Sequence, residues 1–200
     1  MQYRASQQKR SISSNFIQYE WVALKNVPAL MQKCVIVAED ASFWFHHGID
    51  WHEVWESLKV NLKRGTFSRG ASTITQQLAK NLFLDPKKTL KRKFQELFIA
   101  RKIEKHLSKK RILEIYLNVI EWGKNIYGIK SASKFYFQKM PSELTLDEMV
   151  RLAAVLPKPL ELRPDKRSRE LLWRSKIILN RLRKYGFIDE ESYETALQSL

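Results

Sequence analysis

Apolar residues recur along most of this chain at spacings of three and four, the period of an α-helix rather than a strand. A first helical segment follows Asn26, with Pro28 near its first turn, and reaches about Asp40. A second covers roughly 51–63, and a third begins near Ser72 or Thr73, where Thr73 and Gln76 have capping-box spacing. A fourth spans about 89–107 and a fifth about 108–120. Thr145 and Glu148 set another capping box ahead of MVRLAAVL, and Pro157 and Pro159 close that helix. The tail, 168–200, reads as two amphipathic helices broken at Gly186. KRGTFSRG, Lys63 to Gly70, reads as a mobile basic loop. No stretch alternates convincingly as a strand, and there is no internal repeat. The expected fold is therefore mostly α, with a loose polar arm at 1–20 and a single domain at 21–200 that has room for a small subdomain.

Composition sharpens this picture. Hydrophobic residues make up 44% of the 200, enough for a core and too many for global disorder. Lysine and arginine number 36 against 21 acids, a formal net charge of +15. That excess calls for an anionic partner: nucleic acid, an anionic membrane or a phosphorylated substrate. The single cysteine, Cys34, excludes an intramolecular disulfide and reads as a small buried hydrophobe. The first fifteen residues lack the apolar stretch of a signal peptide, and no window approaches the ~20 apolar residues of a membrane span. The expectation is a soluble chain, or one whose upstream membrane anchor is absent.

Three stretches carry candidate chemistry. In VIVAEDASFWFHHG, Glu39 and Asp40 end an apolar helix, where carboxylates oppose the helix dipole and one of two adjacent acids is pushed toward a raised pKa. Such a carboxylate suits general acid–base work; a solvated helix end is the alternative. Glu96 lies in the apolar face formed by Ile99, Ala100, Ile103 and Leu107, one turn after Arg92. It reads either as an Arg92–Glu96 ion pair or as a second active-site carboxylate among cations. Leu90, Phe94, Leu97 and Phe98 form the other apolar face of that helix. In GASTITQQLAKN, Ile74, Leu78 and Leu82 form the expected buried stripe, opposite Thr73, Gln76, Gln77 and Lys80. That amide and hydroxyl face, with one cation and no acid, suits a polar anionic ligand such as a sugar phosphate. Lys80, Lys87, Lys88, Lys91, Arg92 and Lys93 crowd beside it, as a phosphate-binding cluster or a solvated face.

The adjacent His46 and His47 have no partners at metal-ligand spacing, and no nucleic-acid-binding motif is present. Phe43, Trp44, Phe45, Trp51 and Trp55, followed by Lys59, Lys63 and Arg64, suit either core packing or a membrane interface.

Together these stretches resemble the peptidoglycan glycosyltransferases that polymerise lipid-linked disaccharides, glycosyltransferase family 51. EDASFWFHHG is similar to the first motif, E-D-x-x-F-x-x-H-x-G, through Glu39, Asp40, Phe43, His46 and Gly48. RGASTITQQLAKN resembles the second motif, RKFQE (Arg92 to Glu96) the third, RILEIYLN (Arg111 to Asn118) the fourth and LAAVLPKP (Leu152 to Pro159) the fifth. The likeness covers roughly 27–164. The chain departs from the pattern at Ala71, where glycine is common, at Lys88, where arginine is common, and at Met149, Val150 and Arg151. A lysine at 88 keeps charge but loses the bidentate phosphate geometry of arginine. With neither anchor nor transpeptidase region, the resemblance is to the monofunctional form.

The resemblance implies a lysozyme-like large lobe with a small mobile jaw at about 45–68. It implies Glu39 as general base toward the acceptor sugar's 4-hydroxyl, giving a β-1,4 linkage by inversion and releasing undecaprenyl pyrophosphate. Lys80, Lys88, Arg92 and Lys93 then neutralise pyrophosphate, while Ser72, Thr73, Gln76, Gln77 and Asn81 bind sugar or phosphate oxygens. Glu96 acts on the pyrophosphate side, through those cations or a divalent ion, and Asp40 and His46 support Glu39. Glu114 and Asn118 are expected to make buried structural hydrogen bonds. No cofactor is obligatory, although Mg2+ is compatible with the chemistry. The implied partners are lipid II (the lipid-linked disaccharide pentapeptide), the growing glycan strand, the membrane surface, and cell-wall synthesis or division proteins, with no nucleic acid. The implied location is the outer, periplasmic face of the bacterial cytoplasmic membrane. Two other readings stay open: a lysozyme-like glycan hydrolase, and a basic nucleic-acid or membrane-binding module.

Overall fold

The computed structural model describes residues 20–65, 70–85 and 89–200, with the Arg64 side chain left aside. The arm at 1–19, the centre of the basic loop and the Lys87–Lys88 pair lie outside the described residues. The helices are α1 (Ala29–Glu39), α2 (Trp51–Arg64), α3 (Ile74–Phe83), α4 (Leu90–His106) and α5 (Lys109–Val119), then α6 (Ile129–Phe137), α7 (Leu146–Val155), α8 (Arg169–Lys184) and α9 (Glu190–Ser199). A hairpin of β1 (Glu121–Gly123) and β2 (Ile126–Tyr127) separates α5 from α6. The fold is mostly α, as the periodicity predicts.

Side-chain caps start most helices. Asp50, Thr73, Thr89, Ser108, Ser168 and Asp189 each accept from a backbone N–H in the first turn that follows. Thr145 and Glu148 form the expected capping box, with Thr145 N donating to Glu148 Oε2 at 2.9 Å. The box expected at Thr73 forms by half. Gln76 N donates to Thr73 Oγ1 at 3.2 Å, but the Gln76 side chain turns away to Gly48 O.

Helix α1 packs on α7 and α8, and α3 packs on α4 and α5. Met31, Cys34, Val35, Phe43, Ile74, Leu78, Leu113, Trp122 and Leu152 are core residues. Burial pushes the Cys34 thiol far above its usual pKa, so it stays protonated and inert. Helix α2 shares no extensive interface with another helix among the described residues.

Two features depart from the periodicity reading. The β1–β2 hairpin pairs Glu121 with Tyr127 and Gly123 with Ile126, in segments too short to show alternation. Helix α6 was not expected either, because its buried face includes Ser131, Ala132 and Ser133, which read as polar or small. The two apolar faces of α4 also have unequal fates. Ala100, Ile103 and Leu107 face the core, whereas Leu90, Phe94 and Phe98 remain 82%, 72% and 61% exposed.

Arg151 is structural. It bonds Asp147 Oδ2 at 2.8 Å and Pro164 O at 3.2 Å, and its guanidinium lies over the Phe137 ring.

Candidate active site

The site forms where the C-terminus of α1 meets the N-terminus of α3. Glu39 is the last residue of α1 and Asp40 leaves the helix with φ −162°. Asp40 Oδ2 accepts from Ile74 N at 2.9 Å, so its carboxylate also serves the positive end of α3. His46 Nε2 lies 3.0 Å from both Asp40 oxygens, and His46 Nδ1 accepts from Gly48 N at 3.1 Å. The Gly48 contact fixes the tautomer, leaving Nε2–H to donate to Asp40. Asp40 and His46 therefore brace the turn, a supporting arrangement.

Gly48 has φ +89°, and a Cβ there would stand 3.2 Å from Ala100 O and from Glu104 Cγ. The glycine thus lets α4 approach the turn. Glu104 is held from both sides: Thr75 Oγ1 and Lys109 Nζ donate to its Oε1 at 2.6 and 2.7 Å.

The two oxygens of Glu39 differ. Oε2 accepts from Gln77 Nε2 at 2.6 Å, and Oε1 is buried with no hydrogen-bond partner. Burial raises the Glu39 pKa; the Gln77 hydrogen bond and the charges of Arg174 and Lys80 oppose that rise, and Asp40 adds to it. Helix α8 contributes a second feature unread in the sequence. Arg181 Nη1 donates to Val37 O at 2.6 Å, satisfying a carbonyl in the last turn of α1 and offsetting its dipole.

A second cluster surrounds Lys93. Its ammonium donates to Ser72 Oγ at 3.0 Å, to Gln76 Oε1 at 3.3 Å and to Glu96 Oε1 at closer range. Glu96 is only 3% exposed, and Arg92 Nη1 stands 3.8 Å from its Oε2. The expected Arg92–Glu96 pair is therefore present, and Lys93 adds a closer partner for the same carboxylate. One turn along the helix brings Arg92 into range, but Lys93 reaches inward across the helix toward α3. The Arg92 Nε is buried and unpartnered.

Lys80 connects the clusters. It is open to solvent, yet surrounding protein lowers its pKa, with Arg92 and Lys93 adding to that effect and Glu96 and Glu39 opposing it. No hydrogen bond or ion pair engages its ammonium among the described residues. Asn81, next on α3, is partly exposed.

The amide and hydroxyl face of α3 is less open than its wheel suggests. Thr73 and Gln76 are 2% and 1% exposed. Thr73 Oγ1 donates to Gly48 O at 2.7 Å and Gln76 Nε2 to the same carbonyl at 3.3 Å. These two side chains are engaged within the protein, because α4 and the Gly48 turn cover that side of α3. Ser72, Gln77, Lys80 and Asn81 stay accessible to different degrees. Lys88 lies outside the described residues.

Tyr116 of α5 is a site residue that periodicity does not reveal, since it reads as one more apolar position. Its hydroxyl donates to Gln77 Oε1 at 3.0 Å. Glu114 and Asn118 make the expected structural bonds, accepting from Leu24 N at 2.9 Å and Val22 N at 2.8 Å. Among the described residues no three His, Cys, Asp or Glu side chains converge as a metal-binding group. Glu96, the acid expected to serve a divalent ion, is already engaged by Lys93.

A model of the transglycosylase family matches residues 7–183 of this chain. A biosynthetic peptidoglycan transglycosylase of Methylobacillus flagellatus is 40% identical over 167 residues, covering 84% of this chain and 73% of that protein. One from Nitrosomonas eutropha is 41% identical over 182 residues, covering 91% and 75%. Penicillin-binding protein 1A of Aquifex aeolicus is 40% identical over 177 residues, covering 88% of this chain but 24% of that longer protein.

Proposed function

The chain belongs to the transglycosylase family, and from that membership we propose that it polymerises lipid-linked disaccharide pentapeptide into peptidoglycan glycan strands. The observation that carries the mechanism is the asymmetry of Glu39. One oxygen is pinned by Gln77, the other has no hydrogen-bond partner within the protein, and burial raises the pKa of the group. A general base works best with a pKa moved toward the working pH.

Glu39 Oε1 takes the proton from the 4-hydroxyl of the acceptor sugar. The oxygen forms a bond to the anomeric carbon of the donor as the bond from that carbon to pyrophosphate breaks. Attack opposite the leaving group converts an α-linked donor into a β-1,4 product. The departing pyrophosphate gains charge as it leaves, and Lys80, Lys88, Arg92 and Lys93 are the cations assigned to neutralise it. Glu96 is a positioning residue that holds Lys93 and, at longer range, Arg92. Ser72, Gln77 and Asn81 offer polar contacts to sugar or phosphate oxygens, and Thr73, Gln76, Asp40 and His46 brace the frame.

The substrate's lipid tail requires the site to work at a membrane surface. Trp44, Phe45, Trp51, Trp55 and Leu62 are exposed at and after the first motif, and Phe83, Leu90, Phe94 and Phe98 are exposed on α3 and α4. Exposed rings beside lysines suit the headgroup region of a bilayer. The sparse packing of α2 fits a small jaw at about 45–68. Among the described residues no helix is long and apolar enough to cross a membrane. We assign the reaction to the outer face of the cytoplasmic membrane, a reading supported by the lipid-linked substrate and the exposed rings.

The test is incubation of the protein in detergent with labelled lipid-linked disaccharide. The expected product is a β-1,4 glycan chain with release of undecaprenyl pyrophosphate. Release of reducing sugar from purified glycan, without polymer, would instead identify a hydrolase, for which the cation cluster has no pyrophosphate to bind.

A further inference from the structure

The fourth motif contributes no group to the chemistry above, yet its helix reaches the base through one intervening side chain, Gln77. Tyr116, on α5, is 1% exposed. Its hydroxyl donates to Gln77 Oε1 at 3.0 Å, and Gln77 Nε2 donates to Glu39 Oε2 at 2.6 Å. A glutamine amide can occupy this position in two orientations that differ by a half-turn. In the flipped orientation its carbonyl oxygen would face the carboxylate, and the Tyr116 hydroxyl would lose its acceptor.

We propose that Tyr116 is a positioning residue for the base: its hydroxyl locks the Gln77 amide in the orientation that donates to Glu39, which leaves Oε1 as the proton-accepting atom. The inference rests on the reading of Glu39 as general base. Helix α5 is itself held in place for this task. Two residues either side of Tyr116, Glu114 accepts from Leu24 N and Asn118 accepts from Val22 N, while Asn118 Nδ2 donates back to Val22 O at 2.8 Å. The segment leading into α1 thus clamps one face of α5, and Tyr116 projects from another face toward α3. Burial, with the charges of Glu39 and Asp40, keeps the phenol protonated and a donor throughout the working pH range. The charged groups around Glu39 are its neighbour Asp40, Lys80 from α3 and Arg174 from α8. None of them hydrogen-bonds the carboxylate, so the Tyr116–Gln77 relay is the directional contact.

The experiment is the pH dependence of glycan polymerisation by wild type, Tyr116→Phe, Gln77→Ala and the double variant, with Glu39→Gln alongside. A base must be ionised, so activity falls as pH drops through its pKa. Loss of the oriented donor removes a stabilising bond to the anion and moves that acid limb upward. We expect Tyr116→Phe to move it by about one pH unit and to lower kcat on the order of tenfold. Adding Tyr116→Phe to Gln77→Ala should move the limb no further. Replacing Tyr116 by 3-fluorotyrosine, a stronger donor of nearly the same size, should move the limb the other way, and this variant serves if the phenylalanine protein folds poorly. An unmoved limb in Tyr116→Phe, whatever its kcat, or additive shifts in the double variant, would overturn the relay. Wild-type turnover by Glu39→Gln would instead overturn the reading of the base itself.

Discussion

On the proposed mechanism Glu39 is the base, and a base is served by surroundings that disfavour its charge and raise its pKa. Burial supplies them, at the expense of stability. The folded-state pKa lies above the unfolded one, so the group's favourable contribution is complete below the ordinary carboxylate range and is lost as pH rises through the folded value. Glu39→Gln should therefore raise Tm at neutral pH, with each ~1 kcal/mol recovered appearing as roughly 2–4 °C. The gain should vanish at pH below about 4; an equal gain at both pH values would refute the burial account. Glu96 acts through a partner. Glu96→Gln weakens the hold on Lys93, and kcat should drop on the order of 100-fold while Tm changes little, because the variant also removes a buried charge. A wild-type kcat would place Glu96 outside the machinery. At this scale the sequence exposes the acids and cations, because ionisable residues among apolar ones stand out. Tyr116, Arg174 and Arg181 stay hidden, since only long-range packing brings α5 and α8 to the end of α1.

Helices were legible wherever a cap residue and a period of 3.6 coincided, as at Thr73, Thr89, Ser108 and Thr145. The β1–β2 hairpin and α6 were not. Two- and three-residue strands carry no period, and the small residues of α6 owe their burial to neighbours. The exposed face of α4 teaches a related point. A stripe of Leu90, Phe94 and Phe98 establishes amphipathicity but not what covers it. Elements also set the distance between the two halves of the site. Gly48 lets α4, which carries Lys93 and Glu96, lie close to the turn that carries Asp40 and His46. Gly48→Ala adds a methyl at a positive φ facing a backbone oxygen of α4, and should destabilise by about 1–3 kcal/mol. Activity should fall further than stability, because α4 must shift. Unchanged Tm and turnover would show that the close approach is dispensable.

The molecule combines a polar junction at the end of α1 with exposed rings on α2 and α4, and carries a formal net charge of +15. Both properties fit a protein that meets a lipid-borne anionic substrate at a bilayer. Replacing Trp51, Trp55 and Phe94 together by serine should abolish most binding to vesicles containing anionic lipid. A ring fully buried in the interface is worth about 1.5–3 kcal/mol, so the loss should exceed about 100-fold. High salt should weaken the wild type as well, through screening of the lysines. Vesicle binding unaffected by the triple change would move the membrane face elsewhere. The most direct measurement of the central claim is polymerisation of labelled lipid-linked disaccharide by wild type beside Glu39→Gln, with folding of both checked by thermal melting. The expected result is glycan chains from the wild type and none from the folded variant. Equal polymer from both would contradict the assignment of Glu39 as the base.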